Sequence, residues 1–364
     1  MNSGKERIMP PLKIEDIEVP IPVIQGGMSV GISLSGLASA VTNAGGIGVI
    51  GAAGIGMLEP DFDDNFRKSN RRVLRREIEK AKANSEGPIG VNIMMALNDS
   101  SDLARTASDA DADLLLVGAG LPLGNYPLDY VREAGTKTVP IVSSPRAASL
   151  ICRYWSKHYE TSPDAMVVEG PKAGGHLGFK KEELANSEPD LERIVPQVIE
   201  ALDPYREDYG KDIPVIAAGG IFTGGDIRKF LQLGANGVQM ATRFVATEEC
   251  DAANEFKLTY VKANEPDINI IESPVGLPGR AISNKFLEEV EEGDKSPRFC
   301  NWQCLENCDR QDAPYCILSA LKNAKLGRME DGFAFAGANA YRIEEISTVP
   351  ELMDNLQQEY RDSF

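Results

Sequence analysis

Short apolar runs recur along the chain at regular intervals, each followed by a turn and then by an amphipathic stretch. Eight stand out: Val23-Ile24-Gln25, Ile47-Gly48-Val49-Ile50, Ile89-Gly90-Val91-Asn92-Ile93, Leu114-Leu115-Leu116-Val117, Val139-Pro140-Ile141-Val142, Ala165-Met166-Val167-Val168, Val215-Ile216-Ala217-Ala218 and Gly237-Val238-Gln239-Met240. These runs are nearly continuous in hydrophobicity, which suits strands buried on both faces, and their alternation with helical patterns indicates parallel βα units. Eight units in about 250 residues predict an α/β fold of the TIM (β/α)8 barrel type, with a doubly wound sheet as the alternative. In either architecture the ligand site lies at the carboxyl ends of the strands.

The pattern changes character at Glu265. Residues 10–264 read as the barrel and residues 265–364 as a C-terminal extension or lid. That extension holds a turn-rich stretch, Ser273-Pro274-Val275-Gly276-Leu277-Pro278-Gly279-Arg280, then the acidic run Glu288-Glu289-Val290-Glu291-Glu292, then a cysteine cluster. No internal repeat beyond the βα alternation and no low-complexity segment is present.

Composition narrows the function. A chain of 364 residues, 42% of them hydrophobic, can bury a substantial core, and its net charge of −17 argues against nucleic acid or an anionic membrane surface as partner. A small-molecule substrate fits better. Lys5 and Arg7 near the N-terminus are followed by Pro10, Pro11, Glu15 and Asp16 where a signal peptide needs an apolar core, and no stretch is apolar enough to span a bilayer. A cytoplasmic protein is expected, with its six cysteines reduced, metal-bound or redox-active.

Candidate chemistry clusters behind the strands. The sixth run leads into Glu169-Gly170-Pro171-Lys172-Ala173-Gly174-Gly175-His176-Leu177-Gly178, which sets one of only two histidines in a glycine-rich turn. Glycine lets a ligand approach the backbone closely, and histidine titrates near neutrality, so His176 is the candidate proton-transfer group beside Gly174 and Gly175. After the seventh strand come Gly219 and Gly220, and after the eighth Gln239-Met240-Ala241-Thr242. Loops at these two positions commonly build a phosphate site from glycine amides and a short helix N-terminus. After the first strand, Gly26, Gly27 and Met28 offer close approach and a soft apolar surface, and Asn92 at the third can donate and accept hydrogen bonds at a ring edge. Singly, each of these reads as a turn glycine, a core methionine or a capping residue; their shared place on one barrel face is what argues for a site.

Taken together, Gln25-Gly26-Gly27-Met28, Gly90-Val91-Asn92-Ile93-Met94, Ala173-Gly174-Gly175-His176-Leu177-Gly178, Ala217-Ala218-Gly219-Gly220-Ile221 and Gly237-Val238-Gln239-Met240-Ala241-Thr242-Arg243-Phe244 resemble the motif set of the nitronate monooxygenase (2-nitropropane dioxygenase) family. The flavin-dependent enoyl-acyl-carrier-protein reductase of bacteria shares that set, and Gly279-Arg280-Ala281-Ile282-Ser283-Asn284-Lys285-Phe286 resembles a segment of that branch. The resemblance covers residues 18–290. It implies an FMN-binding TIM barrel, with Gly26, Gly27, Met28 and Asn92 near the flavin ring, Gly219, Gly220, Gln239, Ala241 and Thr242 near its phosphate, and His176 facing the reacting atom of the substrate. Two positions depart from the family pattern: Lys172 stands where the family usually has Glu, and Ala241 where it usually has Gly. If Lys172 lies close to His176, its charge disfavours the imidazolium.

The functions this implies are oxidation of alkyl nitronates to carbonyl compounds, or NAD(P)H-dependent reduction of an enoyl thioester or quinone. A non-redox barrel holding a phosphorylated ligand and a metal-stabilised binding protein without turnover are the readings from other classes. Cys300, Cys304, Cys308 and Cys316 follow Cys-x3-Cys-x3-Cys-x7-Cys. The first three share a face if the stretch is helical, and four thiolates suit zinc or an iron–sulfur cluster, with buried thiols as the alternative. The stretch after the second strand carries Arg67, Lys68, Arg71, Arg72, Arg75, Arg76, Lys80 and Lys82. It reads as a solvated helix face paired with Glu77 and Glu79, the alternative being a docking surface for an acyl carrier protein or a phosphorylated substrate.

Overall fold

The computed structural model describes residues 8–185, 190–300 and 302–364. Each of the eight apolar runs forms a strand. After an antiparallel hairpin, β1 (Leu12–Ile14) and β2 (Ile17–Val19), come β3 (Val23–Gln25), β4 (Gly48–Gly51), β5 (Ile89–Met94), β6 (Leu114–Gly118), β7 (Lys137–Val142), β8 (Met166–Glu169), then a two-residue β9 (Gly175–His176), β10 (Val215–Ala218) and β11 (Gly237–Met240). Eight of these make one parallel sheet in the order β3-β11-β10-β8-β7-β6-β5-β4, and an Ile24–Ile47 parallel bridge joins its two end strands into a TIM barrel.

Alternate side chains on these strands face opposite sides, so every run must be apolar throughout. Ile24, Val49, Leu114, Leu116, Val139, Val167 and Ile216 fill the inside, whereas Val23, Ile50, Val91, Leu115, Val117, Val168 and Val238 belong to the larger core outside it. The hairpin closes one end: Leu12, Ile14 and Val19 pack into the inner cluster.

The helices between the strands are α1 (Ser35–Asn43), α2 (Phe66–Ala83), α3 (Ser100–Asp109), α4 (Leu128–Glu133), α5 (Pro145–Tyr159), α6 (Lys181–Ala185), α7 (Leu191–Tyr209), α8 (Gly224–Gln232) and the four-residue α9 (Thr242–Val245). α10 (Asn254–Lys262) follows, and the C-terminal hundred residues add strands β12 (Ile268–Glu272) and β13 (Pro278–Ile282), α11 (Lys285–Glu291), α12 (Ile317–Lys325), β14 (Ala334–Phe335) and α13 (Val349–Asp362).

This C-terminal segment does two structural jobs. α13 starts at a Thr348–Glu351 capping box and packs between α8 and α1, the place left by the short α9. The approach is close: a Cβ on Gly224 would stand 2.1 Å from the Leu356 carbonyl oxygen. In addition, β12, β13 and β14 form an antiparallel sheet whose β13 pairs with β9, matching Gly279 to His176 and Arg280 to Gly175. Among the described residues no helix is long and apolar enough to cross a membrane.

Candidate active site at the carboxyl end of the barrel

A cavity of about 280 Å³ opens at the carboxyl ends of the strands. Gly26, Gly27, Met28, Asn92, Gly174, Gly175, His176, Gly219, Gly220, Gln239, Ala241 and Thr242, drawn from five separated stretches, all line it. The physical roles of the glycines differ. Gly175, Gly219 and Gly220 have φ of +76°, +94° and +83°, a region L side chains rarely adopt. Gly27 is required by packing, since a Cβ there would stand 2.4 Å from the Asn92 Cβ. Gly174 is pressed against the C-terminal segment, where its Cβ would be 2.5 Å from the Ala336 carbonyl carbon.

The polar groups are partly engaged. Asn92 Nδ2 donates to the Leu116 carbonyl at 3.2 Å, and Thr242 Oγ1 accepts from the Gly337 amide at 3.1 Å. Gln239 Oε1 is buried without a hydrogen-bond partner, an arrangement that costs free energy unless a donor arrives.

Of the titratable groups lining the cavity, Glu169 and His176 stand at the two ends of the turn after β8. Burial alone lowers His176 to about 4, and burial alone raises Glu169, the last residue of β8, to about 8. Between these values both are neutral. Glu169 was not singled out from the sequence as a site residue; the available signal was a carboxylate ending an otherwise apolar strand at the catalytic rim. His176 Nε2 is hydrogen-bonded to Ser273 Oγ at 2.7 Å, and the Phe335 ring stands edge-on to the imidazole, centroids 5.0 Å apart. Arg280 Nη1 donates to the carbonyls of Pro171 at 2.6 Å and Ala173 at 2.7 Å, clamping the turn that precedes the histidine. Lys172 does not perturb His176: its stem packs against Gly220, and its charge acts on Glu192.

The sequence pattern of nitronate monooxygenases matches residues 11–115 and 103–359. The chain belongs to the nitronate monooxygenase family. It is therefore an oxidoreductase. A probable nitronate monooxygenase of Bacillus subtilis is 26% identical over 376 residues, covering 93% of this chain and 95% of its own. The (3aS,4S,5R,7aS)-5-hydroxy-7a-methyl-1-oxo-octahydro-1H-indene-4-carboxyl-CoA dehydrogenase of Mycobacterium tuberculosis is 28% identical over 300 residues, 80% of this chain and 71% of that one. Among solved structures, FabK from Thermotoga maritima superposes with a TM-score of 0.73 at 28% identity, covering 95% of this chain and 94% of the other. A nitroalkane oxidase of Streptomyces ansochromogenes shares the fold, with a TM-score of 0.72 at 24% identity and coverage of 95% and 97%.

On the nitronate monooxygenase barrel, the far wall of the cavity is apolar and is built largely by the C-terminal segment: Leu305, Ile317, Leu318 and Leu321 line it together with Met94 and Leu97, Leu305 being bridged to Leu97 through the backbone. The cysteine cluster lies beside this wall. Residues 302–316 contain no helix, so the expected helical face of i, i+4, i+8 thiols does not form, yet Cys300, Cys308 and Cys316 lie near enough to Cys304 to add to the effect of burial in raising its thiol pKa. Cys304 and Cys316 pack on Val30, Met57, Phe62 and Leu318, Cys300 is exposed, and among the described residues no group of three His, Cys, Asp or Glu side chains is arranged to hold an ion.

The basic residues of α2 are spent largely on carboxylates of the same chain. Arg72 bonds Asp61 and Glu59, Arg76 bonds Glu59 and Glu77, Arg71 and Arg75 reach Asp102 and Asp109, Lys80 reaches Glu77, and Lys82 pairs with Asp113. This is the paired, solvated face expected, with acidic partners from neighbouring turns and helices as well as Glu77.

Proposed function

We propose that the cavity binds FMN and that the protein oxidises alkyl nitronates, with molecular oxygen as co-substrate, to carbonyl compounds and nitrite. The observation that carries this reading is the convergence of His176 and eleven cofactor-type residues on one cavity that also holds the unpartnered Gln239 Oε1. A flavin suits that set: its ring carries a donor for the orphaned Gln239 oxygen, which favours a place for Gln239 beside the ring rather than the phosphate, and the positive-φ turn Gly219-Gly220, with Ala241 and Thr242, offers amides to a phosphate. Bound there, the flavin supplies the electron acceptor.

The protein's own residues then bind and orient the anion. A nitronate is negatively charged, and an ionised carboxylate beside it in a buried cavity would repel it strongly. Glu169, held protonated by burial, removes that repulsion and presents a donor instead. His176 is neutral at working pH and serves as a base or as a donor to the developing charge.

The apolar far wall favours one second reading, reduction of an enoyl thioester or quinone with NAD(P)H as co-substrate and an acyl carrier protein as the thioester's bearer. A long acyl chain would lie against the wall formed by Met94, Leu97, Leu305 and Leu318. The two readings separate under anaerobic conditions. Purified protein should be yellow, with its two-band absorption bleached by a nitronate and not by NADH or NADPH; bleaching by the nicotinamide alone would select the reductase. His176→Ala should lower turnover by about 10²–10⁴-fold while flavin stays bound. A colourless protein that FMN cannot reconstitute would remove both readings.

A further inference from the structure

The turn that follows β14 is closed by the Ala340 amide on the Gly337 carbonyl at 3.0 Å, and it meets three barrel loops at once. Gly337 N donates to Thr242 Oγ1, behind β11, at 3.1 Å. Ala338 N donates to the Lys172 carbonyl, behind β8, at 3.0 Å. Asn339 Nδ2 donates to the Gly220 carbonyl, behind β10, at 2.6 Å. The fit is close: a Cβ on Gly337 would stand 2.9 Å from Thr242 Oγ1, and one on Gly174 would stand 2.6 Å from the Gly337 nitrogen. Ala336 and Gly337 line the same cavity as Gly174, Gly220 and Thr242, and Asn339 stands behind it.

All three barrel atoms are acceptors, and a bare acceptor oxygen facing a phosphate would repel it. Each is instead occupied by a donor from the C-terminal segment, which decides where the neighbouring hydrogens go. In a trans peptide the C=O and the N–H point in opposite directions, so the hold of Asn339 on the Gly220 carbonyl sends the Ile221 N–H the other way. That amide makes no hydrogen bond among the described residues, and Ile221 lines the cavity. Thr242 Oγ1 receives the Gly337 N–H on a lone pair, and its own hydrogen meets no acceptor among the described residues.

We propose that the turn Gly337-Ala338-Asn339 is a wall of the phosphate site, turning the barrel loops from acceptors into donors toward the phosphate monoester of FMN. The inference rests on the cavity binding FMN and is independent of whether a nitronate or an enoyl thioester is the substrate. Asn339 acts through the Gly220–Ile221 peptide, so it is a positioning residue.

Riboflavin has the ring and the ribityl chain of FMN without the phosphate, so the ratio of the two affinities reads the phosphate site by itself. Full-length protein freed of flavin is titrated with each, and flavin fluorescence reports binding. Asn339→Ala should weaken FMN about ten- to a hundredfold and leave riboflavin within about twofold. Asn339→Asp, of nearly the same shape, sets a second acceptor against the Gly220 carbonyl and should weaken FMN at least as much. Gly337→Ala pushes the turn off Thr242 and should move the ratio in the same direction, and it carries the decision if the Asn339 variants do not fold. Equal losses for FMN and riboflavin, or no loss for either, would overturn the inference, because the turn would then support only the fold. If the unsubstituted protein does not bind FMN, the cofactor reading falls and takes this inference with it. FMN binding without turnover of a nitronate would count against the substrate alone and leave the ratio standing.

Discussion

Glu169 and His176 differ in the sign of their response to the same burial. Desolvation disfavours whichever form is charged, so it raises the carboxyl to about 8 and lowers the imidazole to about 4. Each shift ties stability to pH through linkage. The folded pKa of Glu169 lies above the ordinary carboxyl value of 4.5, so its contribution to stability is complete below pH 4.5 and is lost as pH rises through 8. That of His176 lies below 6.5, so its contribution is complete above that pH and is lost as pH falls toward 4. Glu169→Gln mimics the protonated acid and removes only the first dependence. In urea denaturation at matched flavin loading, the unsubstituted protein should lose stability relative to Glu169→Gln between pH 5 and pH 8; a constant difference would mean that the carboxyl is already ionised in the folded state. His176 itself was legible as a candidate because histidine is rare in this chain and sits in a glycine-rich turn after a buried strand. Ser273, 97 positions further on, carried no comparable local signal.

At the scale of elements, the turn between β8 and β9 is governed by contacts from β13. Arg280 binds two carbonyls of that turn with a single guanidinium nitrogen, and the β9–β13 pairing fixes the backbone of His176 itself. Arg280→Ala leaves the Pro171 and Ala173 carbonyls without this donor, at a cost of about 1–3 kcal/mol measured by urea denaturation. Turnover should fall more than stability alone accounts for, because the imidazole loses its fixed place; normal turnover in a destabilised variant would show that β13 supports the fold and not the site. The cysteine stretch gives the opposite lesson. A spacing of i, i+4, i+8 has meaning only on a helix, and residues 302–316 instead run irregularly along the barrel mouth, the Leu305 side chain contributing to the cavity wall. The spacing alone could not reveal which of the two the backbone adopts.

For the whole molecule, the C-terminal hundred residues are integrated with the barrel. α13 packs on α8 and α1, while β12, β13 and β14 brace the catalytic turn. Truncation before Thr348 should therefore expose the apolar faces of α8 and α1 and yield aggregated or protease-sensitive protein, checked by limited proteolysis and gel filtration; a soluble, flavin-loaded product would show that the barrel closes without α13. The eight strands were determined by sequence alone, because a strand buried on both faces must be largely apolar and these runs recur at the spacing of βα units. So were the glycines and the histidine at the strand ends, where backbone conformation and close approach restrict the residue type. Tertiary structure alone decided what closes the barrel at its two ends, what fills the place of the eighth helix, where the Lys172 charge falls, and which hydroxyl reaches His176. Those outcomes depend on segments distant in sequence meeting in space, and a hydroxyl or an arginine in a turn-rich stretch has the same local appearance whether or not another strand lies beside it.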